Sequence, residues 1–226
     1  EDVRARLSQR WRAPVFLDND ANAAVWAEWR HGAARGAHDV LMITLGTGIG
    51  GGIILGGRLH RGRNGMAGEF GHLQVVPDGQ PCECGRRGCW EQYSSGSALV
   101  RYARSRLGQE PSLLEELCQG NPDLVTGPMV AEAAAEGDLV ARSAFTLVGD
   151  WLGVGVANLV AAFDPDCVVI GGGVSTAGER LLDPARAALE RTLVGAGHRE
   201  VPALVRAALG PEAGIVGIVD LARHAL

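Results

Sequence analysis

The chain contains no lysine; all 21 of its lysine-plus-arginine residues are arginine. That absence removes a Walker-type phosphate lysine, a Schiff-base lysine and a lysine general base from the chemistry open to it. It fits a GC-rich codon supply better than a function. A basic balance is missing as well. The net charge is −5 and the isoelectric point about 5.7, so no global field draws the chain to nucleic acid or to an anionic membrane. No apolar run approaches the length of a membrane span and no secretory signal opens the chain, which gives a cytoplasmic expectation. Internal repeats and low-complexity segments are absent. What is present is 226 residues, 46% hydrophobic and 21% charged, enough to bury a sizeable core as one or two domains.

The most informative stretch is Gly65 to Glu91, GMAGEFGHLQVVPDGQPCECGRRGCWE. His72, Cys82, Cys84 and Cys89 have the residue types and clustering of a closed zinc site. Thiolate and imidazole donors suit Zn²⁺, and four protein ligands leave no open position for water, so such a metal is structural. Free thiols or a disulfide remain the alternatives, because Cys-x-Cys-x4-Cys with a distant histidine is not a common zinc-finger spacing. Three of the five cysteines fall within this cluster, and without export signals that bunching favours metal. Cys118 and Cys167 stand apart and read as buried packing residues. A metal here would bring Glu91 beside Glu69, giving one pocket wall with two carboxylates.

Along the chain, Glu1–Arg12 reads as a charged helix ended by Pro14, and Val15–Leu17 as a short buried strand. Asp18-Asn19-Asp20 precedes a helix over Ala21–His31, where capping and ligand binding at a strand's end are both open readings. Val40–Leu45 reads as a strand, with Gly46–Gly52 a tight turn into Ile53–Leu55 and a hairpin continuing to Arg58–His60. That glycine run is either a plain hairpin or a phosphate cradle formed by backbone amides and the Thr47 hydroxyl. Helices follow at Ser97–Leu107, Gly127–Glu136 and Asp138–Phe163. Cys167–Ile170 reads as a buried strand entering Gly171, Gly172 and Gly173, then a helix over Glu179–Leu193. Strand, glycine turn and helix in that order suit a nucleotide. A strand at Ala203–Ala207 and a helix at Pro211–Leu226 close the chain.

FLDNDANAA, ITLGTGIGGGII, GEFGH at Gly68–His72, CECGRRGCWE, FDPDCVVIGGGVS and AGIVGIVDLA together resemble the ROK family of sugar kinases and sugar-sensing repressors. The resemblance runs nearly end to end. VVPDG, GCWEQYSSG and ALVRYA look most like its actinobacterial glucokinase branch. It implies an α/β chain with the actin-like ATPase (ribonuclease H-like) fold of the sugar kinase superfamily. By that likeness Asp20 is the catalytic base, and Asn19, Glu69, His72 and Glu91, with the backbone of Gly65, hold the sugar. His72 also joins Cys82, Cys84 and Cys89 on the metal. Gly46, Thr47, Gly48, Gly50 and Gly51 correspond to a phosphate loop, and Gly171, Gly172 and Gly173 to the adenosine contact. The implied cofactors are ATP, Mg²⁺ and structural Zn²⁺, and the implied reaction is ATP-dependent phosphorylation of the C6 hydroxyl of glucose or a related hexose. The resemblance also implies a homo-oligomer, dimer or tetramer. The family's first phosphate loop, Asp-x-Gly-Gly-Thr, does not occur in the chain. The expectation is therefore a chain lacking most of the N-terminal small lobe and inactive by itself. Residues 1–20 would be hinge and small-lobe remnant, 21–210 the large sugar- and zinc-binding lobe, and 211–226 a helix returning to the small lobe. The alternative is a repressor whose DNA-binding helices lie upstream; the acidic lobe itself offers no nucleic-acid surface.

Overall fold

The structure is a computed structural model and describes residues 2–225; Glu1 and Leu226, the ends of the expected first and last helices, lie outside the described residues. A five-stranded sheet has the order β3-β2-β1-β4-β5, built from β1 (Val40–Leu45), β2 (Ile49–Leu55), β3 (Arg58–Leu59), β4 (Cys167–Gly171) and β5 (Ala203–Arg206). The β1–β2–β3 side is antiparallel, whereas β1–β4 and β4–β5 run parallel. The side chains of β1 alternate between the faces, as a period of two requires. Leu41, Ile43 and Leu45 join one core with α6 (Leu139–Phe163) and α7 (Glu179–Thr192). Val40 and Met42 join the other with α2 (Asp20–His31) and Ala213, the first residue of α8 (Ala213–Ala225).

Both layers rely on close backbone approach. A Cβ at Gly153 of α6 would lie 2.2 Å from the Ala185 carbonyl of α7, and one at Gly217 of α8 would lie 1.7 Å from the Ala23 carbonyl of α2. The buried Glu28 carboxylate ties α2 to the β5–α8 connection, accepting from the amides of Ala33 (2.8 Å), Ala208 (3.1 Å) and Leu209 (2.8 Å). The remaining helices are α1 (Val3–Trp11), α3 (Gly96–Arg106), α4 (Leu113–Leu117) and α5 (Gly127–Ala135).

Three expectations need correction, and one helix was not anticipated. Val15–Leu17 is not a strand but lies outside regular secondary structure, with Leu17 45% exposed, because no strand among the described residues pairs with it. The glycine run is not one turn: Gly50, Gly51 and Gly52 belong to β2, and only Gly46–Gly48 turns. The short helix α4 carries no strong periodic pattern and was not expected. Finally, α6 is 25 residues long and apolar enough by length and composition to cross a bilayer; 61% of its most apolar window is buried, and it serves here as the central core helix.

Candidate functional site

The glycines of β2 explain how distant loops meet. A Cβ at Gly52 would strike the Ala21 carbonyl at 2.6 Å, and one at Gly50 would sit 3.6 Å from the Ala21 Cβ, so even-numbered positions receive the start of α2. At Gly51 a Cβ would strike the Phe70 ring at 2.3 Å and the Gly68 carbonyl at 2.4 Å, so the opposite face receives the Gly68–His72 segment. The Glu91 carboxylate reaches the head of the same strand and accepts from the Ile49 amide at 2.9 Å. Bare β2 thus gathers the loop of Asp20, the loop of Glu69 and His72, and the turn of Glu91. Gly50 and Gly51 serve this packing and the β1 ladder.

Asn19 caps α2: its Oδ1 accepts from the Ala21 amide at 2.8 Å and the Asn22 amide at 3.3 Å. Asp20 is the exposed first residue of the helix, with Oδ1 accepting from the Ala21 amide at 2.8 Å. Asp18 is placed quite differently. Its side chain is 9% exposed and holds four donors. They are the Asn19 amide and Asn22 Nδ2 on Oδ1, and Arg61 Nε and Nη2 on Oδ2. Burial alone would raise its carboxyl, but the Arg61 guanidinium, Asn22 and the Asn19 amide hold it below the ordinary value.

Glu69 is exposed and precedes a 3-10 turn over Phe70–His72; a second turn over Trp90–Gln92 carries Glu91. These turns pack together, with Gly71 against Glu91 Oε2. Gly65 lies exposed at positive φ (73°) in a loop closed by the Ala67 amide donating to the Arg61 carbonyl at 3.1 Å.

The donor atoms of His72, Cys82, Cys84 and Cys89 all lie within 4.8 Å of one another. Cys82 Sγ is 3.7 Å from His72 Nδ1 and Cys84 Sγ is 3.6 Å from Cys89 Sγ. A tetrahedral zinc with ordinary bond lengths separates its ligands by about 3.5–3.8 Å, so the donor set fits the ion. All five cysteines are free thiols rather than a disulfide. Burial, with Cys84 and Cys82 adding to it, pushes the Cys89 thiol up to about 12, while the Arg86 amide draws the exposed Cys84 thiol down. A cation among them would allow all three to be thiolates together. Backbone bonds add to the frame: Cys82 donates its amide to the Arg86 carbonyl at 2.8 Å, and Trp90 donates to the Leu73 carbonyl at 2.7 Å. The fully buried Trp90 indole then donates to the Trp151 carbonyl of α6 at 2.7 Å. It fills the space left by Gly155, where a Cβ would lie 2.0 Å from the ring. Trp90 therefore anchors Cys89 on one side and Glu91 on the other.

The second half of the site lies where the parallel strands β1 and β4 end side by side, Thr44 opposite Gly171. Gly172 takes positive φ (81°), and a Cβ there would press on the Leu45 carbonyl at 2.4 Å. The two glycine turns thus lie together at the mouth of a cavity of about 980 Å³ that reaches between α3 and α5. Gly46, Thr47 and Gly173 line its rim; Arg101, Pro128 and Ala131 line its walls. Ser97 Oγ donates to the Thr47 carbonyl at 2.8 Å and the Gly96 amide to the Gly46 carbonyl at 2.8 Å, which fixes the first turn to α3. Sequence reasoning missed Ser97, Arg101, Pro128 and Ala131, because residues on two helices share a cavity only after packing. It also missed the Asp18–Arg61 pair, although Asp18 stood in the noted Asp-Asn-Asp triplet.

The sequence pattern of the ROK family matches residues 1–225. A glucokinase of Streptomyces coelicolor is 46% identical over 99% of this chain and 72% of its own length. The solved structure of a ROK family glucokinase from Streptomyces griseus in complex with glucose and AMPPNP is 49% identical, with a TM-score of 0.92, covering 99% of this chain and 73% of that one. A xylose repressor of Caldicellulosiruptor bescii is 36% identical over 81% of this chain and 46% of its own length.

Proposed function

Because the chain belongs to the ROK family, with the actin-like ATPase fold of its sugar kinases, we propose that it acts as an ATP-dependent glucokinase. The reaction is transfer of the γ-phosphoryl group to the C6 hydroxyl of glucose. The observation that carries the assignment of the base is the contrast between two carboxylates two residues apart. Asp18 already accepts four hydrogen bonds, whereas Asp20 is exposed at the head of α2 with its Oδ2 left to accept a proton. Asp20 accepts the C6 proton as the hydroxyl oxygen attacks phosphorus in line. Glu69 and Glu91 accept hydrogen bonds from the other hydroxyls, Asn19, whose Oδ1 is taken by the helix cap, donates from Nδ2, and the Gly65 backbone adds a contact. With His72 Nδ1 turned to Cys82, its Nε2 is the ring nitrogen left for the sugar.

On the nucleotide side, the Gly46–Gly48 turn and the Thr47 hydroxyl meet phosphate, and Gly171–Gly173 borders the adenosine pocket between α3 and α5. Bound Mg²⁺ supplies neutralisation of phosphate charge, and Zn²⁺ on His72, Cys82, Cys84 and Cys89 supplies only rigidity. We assign residues 21–210 to the large sugar- and zinc-binding lobe, 1–20 to the hinge and 211–226 to a returning helix. The last helix, α8, packs on α2. A cytoplasmic location suits the reduced thiols of the cluster. We also assign a homo-oligomeric state, for which exposed Leu139 and Val194 offer apolar surface. The direct test is glucose-dependent ADP release by the full-length protein. Release that needs glucose supports the enzyme, whereas glucose binding without ADP release points to the sugar-sensing repressors of the same family.

A further inference from the structure

We propose that Asp18 and Arg61 form a positioning pair that holds the Asp20 loop in register with the sugar-binding loop, an inference that rests on the glucokinase reading. Arg61 is the residue where the two loops are joined. Its guanidinium places Nε 2.9 Å and Nη2 2.5 Å from Asp18 Oδ2, one residue before the Asn19 cap and two before Asp20. Its carbonyl accepts the Ala67 amide at 3.1 Å and so closes the loop that carries Gly65 and leads into Gly68–His72.

The far side of the Asp18 carboxylate is equally committed. Oδ1 takes the Asn19 amide at 2.9 Å and Asn22 Nδ2 at 2.9 Å. Asn22 is 2% exposed, and the bond to Asp18 fixes the first turn of α2 from within. The chain thus runs from the sugar loop, through a guanidinium fork and a buried carboxylate, to the helix turn bearing the base. A guanidinium fork transmits orientation as well as charge, which a single ammonium does not. Neither Asp18 nor Arg61 is needed to touch sugar or nucleotide. Displacing a base by about 1 Å costs a reaction up to ~100-fold, so a strap of this kind has a kinetic signature.

The test is a double-mutant cycle on the full-length protein with Asp18→Asn, which keeps the shape of the side chain, and Arg61→Ala. Each single variant is expected to lower kcat with glucose by about 10- to 100-fold while the KM for ATP stays within about twofold. The double variant should be no worse than the worse single, and Asp18→Glu should recover most of the loss. Backbone amide exchange over residues 19–23 and 62–68 should accelerate together in either single variant. Multiplicative losses, unchanged glucose kinetics, or exchange that accelerates in one loop only would overturn the proposal. A full-length wild-type protein without glucose-dependent ADP release would instead overturn the glucokinase reading, and the exchange measurement would still decide whether the pair couples the two loops.

Discussion

The two halves of the cleft are built by different means. The sugar half is held by side chains: a charge-paired Asp18, a capping Asn19, a cluster of three thiols and an imidazole, and a buried tryptophan between two functional residues. The nucleotide half is made of backbone and of apolar wall, from two glycine turns at neighbouring strand ends and the facing sides of α3 and α5. Rigid side-chain networks suit the half that must discriminate and align a small polyhydroxyl molecule, where a misplaced oxygen costs turnover. Backbone amides and an open cavity suit a ligand recognised by charge and by a flat base.

The largest effect that sharpens this contrast is expected at the base. Asp20→Asn should cut turnover by about 10²–10⁴-fold, with glucose affinity measured by calorimetry nearly unchanged; an active variant would remove the assigned role. Next comes the nucleotide wall. Ala131→Trp should fill the cavity between α3 and α5 and raise the KM for ATP by roughly tenfold without moving glucose affinity, since Ala131 lines only that half. A matching rise in the KM for glucose would dissolve the division into halves. A smaller change is expected from Ser97→Ala, which loses one hydrogen bond to the Thr47 carbonyl and should raise the KM for ATP only a few-fold.

The smallest effect concerns acid. The Asp18 carboxyl lies below its ordinary value of 3.8, so its contribution to stability is complete above that value and is lost as pH falls through the lower folded value. The melting-temperature gap between wild type and Asp18→Asn should stay constant from about pH 8 to pH 5 and shrink only below about pH 4. A gap that already closes near neutrality would mean that another group governs the pair.

The same contrast explains what could be read from the chain. His72, Cys82, Cys84 and Cys89 are legible as a cluster because their residue types stand close in sequence, and the structure brings their donor atoms together. Strand β1 is legible for a different reason, since its apolar run ends at a glycine turn. Gly50–Gly52 misled because glycine marks both turns and close packing, and only Phe70 and Ala21 lying against β2 distinguish the two. Arg61 gives no local sign of its partner 43 positions away, and the cavity wall of Arg101, Pro128 and Ala131 is created by packing alone. The helix α6 was legible at Asp138–Phe163, but its apolar length was underrated, because a long core helix and a membrane helix share length and composition and differ only in what surrounds them.

The most direct test of the two-part cleft is to measure glucose and nucleotide affinity on one sample before and after a chelator strips the cysteine cluster, with Cys84→Ser as its genetic counterpart. The account predicts that glucose binding weakens by about 10- to 100-fold, as Glu91 and His72 lose their fixed frame, while nucleotide affinity stays within about twofold. Loss of metal with glucose affinity unchanged, or an equal loss for both ligands, would contradict it.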